Sequence, residues 1–169
     1  MGATRRALLK VWKYLPAKRW YERYIFKIIS PSFNVGLVAV VNDAEGRVML
    51  ARHTYRRRWP WGFPGGTLER GEQIDDCIVR EIREETALVA EPLGLVGVDV
   101  LENYGRIECV MRLRIVAGSF EPSDEVSEVR FFARGEFPEL SPEQNDFVAR
   151  YEAELFTPGT WPQSATGDR

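Results

Sequence analysis

The chain has 169 residues, 44% of them hydrophobic and 12% aromatic. That is the length of one domain with at most an appendage, and a chain of this size buries about 70% of the surface its unfolded form exposes without needing disulfides. Its 23 Lys and Arg against 25 Asp and Glu give a net charge of -2, which excludes a protein whose whole surface grips nucleic acid, so no DNA partner is expected. His53 is the only histidine, and Cys77 and Cys109 are the only cysteines. Zinc sites and Ser-His or Cys-His nucleophile pairs are therefore unsupported, and the thiols read as buried, reduced and inert. No apolar run reaches the ~18 residues of a membrane span or the core of a signal peptide. Arg6 stands where a myristoylation signal needs Ser or Thr, and the expectation is a cytoplasmic protein.

In chain order, residues 1–30 carry eight basic residues against the single acid Glu22, so this segment is +7 and the remainder -9. Leu8, Leu9, Trp12 and Leu15, then Trp20, Tyr21, Tyr24, Ile25 and Ile28, recur at helical spacing on either side of Pro16, which predicts two short amphipathic helices ended by Pro31. This extension is expected to pack on the domain or on a second copy in a homodimer, with peripheral contact to an anionic membrane and a transit peptide as the rival roles. A Val-rich strand over 34–41, a turn at Asp43-Ala44-Glu45-Gly46 and a strand over 47–52 read as a hairpin. A basic, aromatic stretch from Tyr55 to Trp61 leads into the cluster Gly62-Phe63-Pro64-Gly65-Gly66, and a helix is predicted from about Ile74 to Glu85. Strands follow over 93–101 and 107–116, joined at Asn103-Tyr104-Gly105, and over 126–132. Ser141, Pro142 and Gln144 form a helix start with a capping-box pattern, so a last helix is expected over 142–156, before a Pro-, Gly- and Ser-rich tail from 157. The sum is an α/β layered domain over 31–156.

The helix after the glycine cluster breaks a local rule. At about 100° per residue, Ile74, Cys77, Ile78 and Ile82 share a broad face, and Glu81, Glu84 and Glu85 point into much the same sector. Like charges at these spacings repel by a few tenths of a kcal/mol even when exposed, and they crowd the negative end of the helix dipole. Clustered carboxylate oxygens are what a hard divalent cation requires, and Mg²⁺ in particular is held by one or two carboxylates together with substrate phosphates. Gly65-Gly66 lets backbone approach closely and present carbonyl oxygens. A plain solvated face, with Arg80 and Arg83 as ion-pair partners, is the competing reading of the helix alone.

Gly66, Glu72 and the run Arg80-Glu81-Ile82-Arg83-Glu84-Glu85-Thr86-Ala87-Leu88 resemble the Nudix box, Gly-x5-Glu-x7-Arg-Glu-U-x-Glu-Glu-x-Gly-U with U aliphatic, and Trp61 to Gly65 resembles its lead-in. One position departs from it: Ala87 stands where the family usually has Gly. The resemblance spans about residues 33 to 155 and implies an α/β/α sandwich with a mixed sheet. It also implies Mg²⁺- or Mn²⁺-dependent hydrolysis of a phosphoanhydride in a nucleoside diphosphate linked to another group. By the same resemblance Glu84 and Glu85 are the main metal ligands, Glu81 is a ligand or base, and the Gly65 or Gly66 carbonyl joins the shell. Arg80 orients the carboxylates and Glu72 holds that network. Such an ion neutralises diphosphate charge and lowers the pKa of the attacking water.

The substrate is less well specified. Arg52, Arg56, Arg57 and Arg58 carry guanidiniums suited to phosphate, and Trp59, Trp61 and Tyr104 carry rings suited to stacking on a base. A further carboxylate is expected from Glu125 or Glu128, with Glu125 preferred, while His53 reads as a strand-end residue without a catalytic role. A nucleotide sugar, ADP-ribose or a nucleoside triphosphate is the expected small-molecule substrate. A non-catalytic nucleotide sensor and an isopentenyl-diphosphate-isomerase-like enzyme are the alternatives; the intact glutamate set speaks against the first and the single histidine against the second.

Overall fold

A computed structural model describes residues 32–101 and 105–158. The chain divides into two compact units, Met1–Phe33 and Asn34–Arg169, and the second is described here. The expected N-terminal helices, Tyr104 and the tail from 159 lie outside the described residues. The elements are β1 (Asn34–Val41), β2 (Val48–His53), β3 (Trp61–Gly62), β4 (Gly65–Thr67), α1 (Ile74–Thr86), β5 (Val89–Leu101), β6 (Arg106–Ala117), β7 (Val126–Phe132), α2 (Pro142–Arg150) and α3 (Glu152–Leu155).

The strands form a four-stranded mixed sheet, β4-β1-β6-β5, and a three-stranded sheet, β3-β2-β7. β1 runs parallel to β6 and antiparallel to β4. Period-two alternation along the strands then builds two cores. Leu37, Ala39 and Val41 of β1, with Cys109, Met111, Leu113 and Ile115 of β6, pack against Cys77, Ile78 and Ile82 of α1. On the other face Val40, Val48, Leu50, Phe63 and Val110 meet Phe147, Tyr151 and Leu155 from α2 and α3. Helices on both sides of a mixed sheet make the expected α/β/α sandwich.

Five sequence expectations change. The hairpin over 34–52 does not form: β1 and β2 enter different sheets and share only the isolated bridge Asn42–Val48. β1 pairs instead with β4 and β6, and just beyond it the Asn42 side-chain amide donates to the Leu155 carbonyl at 2.6 Å and accepts from Arg112 at 2.9 Å. The glycine cluster supplies β3 and β4, too short for a periodic signal. β5 starts at Val89 rather than 93, and it holds Pro92 by shifting register beside it, which an edge strand tolerates. The last helix breaks at Tyr151, whose φ of -108° and ψ of 20° are not helical. Of the capping box only one half forms: Ser141 accepts the Gln144 amide, while the Gln144 side chain lies over Gly62 instead of returning to the cap.

Candidate active site

α1 places the chemistry because its core stripe does not end where its apolar residues do. Cys77, Ile78, Ile82, Glu85 and Thr86 are all buried, so the stripe that Ile82 anchors continues through a carboxylate. Glu85 is only 3% exposed, and one of its oxygens accepts the Gly65 amide at 3.2 Å. Burial pushes its carboxyl up to about 8, with the charges of Glu81 and Glu125 adding to the shift and the Gly65 amide and Arg56 opposing it.

The other acids are braced by one guanidinium. Arg80 donates to both oxygens of Glu72 at 2.8 and 3.1 Å, to Glu81 at 3.0 Å and to Glu84 at 3.1 Å. Two Arg80 hydrogen bonds, with the Glu69 amide, hold the Glu72 carboxyl down at about 2, and the same contacts raise the Arg80 pKa. Cys77 lies under this network. Burial, then Glu72, push its thiol up to about 12, so it stays protonated.

Gly65 and Gly66 allow β4 to run tight against α1 and β1. A side chain at Gly65 (φ 151°) would lie 2.1 Å from the Leu37 carbonyl oxygen, and one at Gly66 would lie 2.0 Å from the Glu81 carboxylate carbon. Glu81 Oε1 also accepts the Thr67 amide at 3.3 Å. Ala87, the departure from the box, ends α1 with φ 59° and ψ 5°, its amide donating to the Arg83 carbonyl. It is the only non-glycine residue with positive φ among the described residues, so the position does require the left-handed region.

The end of α1 is tied to the loop before β7. Ser123 donates its hydroxyl to the Glu85 carbonyl at 3.0 Å, and the Glu121 amide donates to the Thr86 carbonyl at 3.1 Å. This loop brings Glu125 close enough for its charge to act on Glu85. Glu128 sits instead on β7, paired with Arg130 at 2.5 Å.

A cavity of about 680 Å³ opens beside Gly65, lined among others by Arg56, Arg57, Arg58, Trp59, Phe63 and Gln144. Arg52 takes another course from the exposed side of β2, donating to Ser127 Oγ at 3.4 Å. Trp61 packs edge-on against Phe132. His53 closes β2 at 2% exposure with neither ring nitrogen hydrogen-bonded. Burial, then Arg56, push its imidazole down to about 4, which the Phe63 backbone offsets only in part. Gln144, Arg106 and Phe147 also line the cavity, and sequence reasoning missed them as site residues. Gln144 left a trace in the sequence as the third residue of a capping pattern; Arg106 and Phe147 left none.

The donor set suits a hard divalent cation: every candidate ligand is an oxygen, Glu85 is buried against a single amide, and the Glu81 carboxylate lies against Gly66. Among the described residues no three acidic, His or Cys side chains close around one point. No described helix is long and apolar enough to cross a membrane.

Comparison with known proteins agrees with this geometry. Residues 32–151 match the NUDIX domain. The chain is 30% identical over 121 residues to the ADP-ribose pyrophosphatase of Methanocaldococcus jannaschii, a match covering 69% of this chain and 72% of that one. It is 26% identical over 106 residues to the NAD-capped RNA hydrolase NudC of Vibrio parahaemolyticus, covering 62% of this chain but 41% of that relative, less than half its length. The crystal structure of a NUDIX hydrolase from Nitrosomonas europaea shares the fold at a TM-score of 0.64 and 24% identity, over 77% of this chain and 79% of that one. The class these matches define is a diphosphohydrolase, and the chain belongs to the Nudix hydrolase family.

Proposed function

We propose that the protein hydrolyses the phosphoanhydride of a nucleoside diphosphate linked to a second moiety, with Mg²⁺ or Mn²⁺, and that ADP-ribose is the first substrate to test. The observation that carries this reading is Glu85: a carboxylate buried at the end of an oxygen-only donor set, one amide away from a cleft rich in arginine. Glu81, Glu84, Glu85 and the Gly66 carbonyl would hold the ion. When bound, it neutralises diphosphate charge and makes water a better nucleophile.

The chain's own groups do the rest. Arg80 keeps Glu81 and Glu84 oriented, and Glu72 fixes Arg80 through two hydrogen bonds. Glu81 engages Arg80 and Thr67 through Oε1 only, which leaves Oε2 to accept the proton of the attacking water. Arg56, which lines the cleft beside Gly65, would grip a phosphate oxygen. Arg58 lines the cleft, and Glu125 and Tyr104 complete the substrate side in this reading. The M. jannaschii relative's name supports ADP-ribose as the leading substrate.

The test is product formation by the full-length protein across ADP-ribose, nucleotide sugars and nucleoside triphosphates, with and without divalent metal. AMP release from ADP-ribose that needs Mg²⁺ or Mn²⁺ is the expected result. Undiminished turnover in excess EDTA would overturn the metal assignment, and failure on the whole panel would return the sensor and isomerase alternatives to the front.

A further inference from the structure

The cleft beside Gly65 is lined by four arginines, Arg56, Arg57, Arg58 and Arg106, against two glutamates, Glu108 and Glu143. Arg56, Arg57 and Arg58 all line it, and among the described residues none of the three forms an ion pair. Arg106, also in the lining, differs: its guanidinium is taken up by Glu108 at 3.1 Å. Three adjacent unpaired guanidiniums repel one another, and the loop tolerates them because it is exposed at Arg57 and Arg58.

The three are not equivalent. Arg56 is half-buried, its charge acts on Glu85, and a side chain added at Gly62 would lie 2.6 Å from its Nη1, so it belongs with the carboxylates and the diphosphate they serve. Arg58 stacks over Trp59 at 4.5 Å, and Trp59 is anchored through its indole N–H to Glu139 at 3.1 Å. Stacking fixes the plane of the guanidinium and leaves its N–H edge for a ligand. Arg57 has no partner of any kind among the described residues. Gln144 adds an acceptor to the cleft, for its Oε1 is shielded from solvent without a hydrogen-bond partner and its amide lies with Arg56 over Gly62. A ligand that satisfies this wall carries an anion for the arginine fork and a hydroxyl or amine for Gln144. A phosphorylated ribose supplies both.

Resting on the hydrolase reading above, we infer that the preferred substrate is a nucleoside diphosphate conjugate with a further phosphate on its ribose, bound by Arg57 and Arg58. The shared chemistry is a phosphomonoester at the 2′ or 3′ position, and the two isomers are separate arms of the test.

Titration calorimetry on the full-length protein with Mg²⁺ compares AMP with adenosine 2′,5′-bisphosphate and adenosine 3′,5′-bisphosphate. One bisphosphate is expected to bind at least about tenfold more tightly than AMP, the scale of one charge-assisted guanidinium–phosphate contact. In the double variant Arg57→Gln/Arg58→Gln that ratio falls toward one, while Arg114→Gln, which removes a charge from β6 outside the cavity lining, leaves it unchanged. In turnover, kcat/KM for NADPH or coenzyme A exceeds that for NADH or dephospho-coenzyme A, and the double variant shrinks the same ratio. Equal binding of AMP and both bisphosphates overturns the inference, as does a double variant that weakens all ligands in equal proportion or an Arg114→Gln variant that lowers the ratio as much. Because binding is read without turnover, an enzyme that hydrolyses nothing on the panel overturns the proposed function while this ratio still decides the inference.

Discussion

Two clusters of charge flank Gly65, and they are built in opposite ways. On α1 a single guanidinium, Arg80, closes on Glu72, Glu81 and Glu84, which fixes their geometry and leaves the cluster net negative. Across the cleft Arg56, Arg57 and Arg58 stand without ion partners among the described residues. Glu85 lies between the two in character: it is charged by type, buried by position, and touched by neither the Arg80 fork nor a full set of donors. A hydrogen-bonded network holds geometry, whereas unpaired guanidiniums are ready to bind, and the proposed hydrolysis requires both.

The largest effect is expected where the two clusters meet. Glu85→Gln should lower kcat by about a thousandfold or more, while thermal unfolding shows a stability equal to wild type or higher. Since the folded-state pKa of Glu85 lies above that of the unfolded chain, its burial penalty develops as pH rises through the window from about 4.5 to about 8. The gain in the variant should therefore be greatest above pH 8. Loss of stability at pH 9 with full activity would make Glu85 a structural residue.

Next in size is the response to acid of His53, buried at the end of β2. His53 is held neutral, with its pKa depressed from 6.5 to about 4, so the unfolded chain binds the proton first as pH falls. Stability contributed by the neutral imidazole is complete above pH 6.5 and declines toward pH 4, by up to ~3 kcal/mol. Urea titrations between pH 7 and 4 should show this slope, and His53→Leu should flatten it. An unchanged slope in that variant would place the acid sensitivity elsewhere.

Breaking the closed cluster should cost activity rather than fold. Arg80→Lys keeps the charge but cannot reach three carboxylates at once, and kcat/KM should drop about tenfold to a hundredfold with stability changed by ~1 kcal/mol or less. Arg80→Ala should be worse in kcat. If Lys restores full turnover, orientation by the fork is not what Arg80 contributes. Smallest of all, Ala87→Gly should raise stability by ~1 kcal/mol or less and leave the metal requirement intact, because it relieves the left-handed backbone at the end of α1. A loss of activity there would show that the alanine methyl has a contact of its own in the working site.

The closed cluster was legible in the sequence and the open one only in part, for a physical reason. Helical spacing put Glu81, Glu84 and Glu85 in one sector, whereas the Arg80–Glu72 brace and the strain at Ala87 were expected only from the resemblance to the Nudix box. The cleft is assembled from β1, the loop after β2, β6 and α2, which no local period connects. Arg106 and Phe147 therefore gave no signal, and Arg52, indistinguishable in sequence from its neighbours, leaves toward Ser127. The separation of β1 from β2 was hidden for the same reason: β1 pairs with β6 and β2 with β7, strands far along the chain. The burial of Glu85 was half visible, since its helical phase is that of Ile78 and Ile82, but only the packed structure shows that the core extends so far.

Ser123 gives this architecture an evolutionary consequence. One hydroxyl donates to the Glu85 carbonyl and accepts the Glu125 and Val126 amides at 3.3 and 3.0 Å, while Thr54 takes up the Asp124 carbonyl from the other side. The segment between β6 and β7 is thus clamped at both ends, although it has no regular structure of its own. Most surface connections of a domain drift freely in length among descendants; this one cannot gain or lose a residue without moving Glu125 relative to Glu85. Insertions and tags should be tolerated at the Asp43–Gly46 turn far better than here, and chains that diverge in substrate should vary in the arginine loop while keeping the length of this strap.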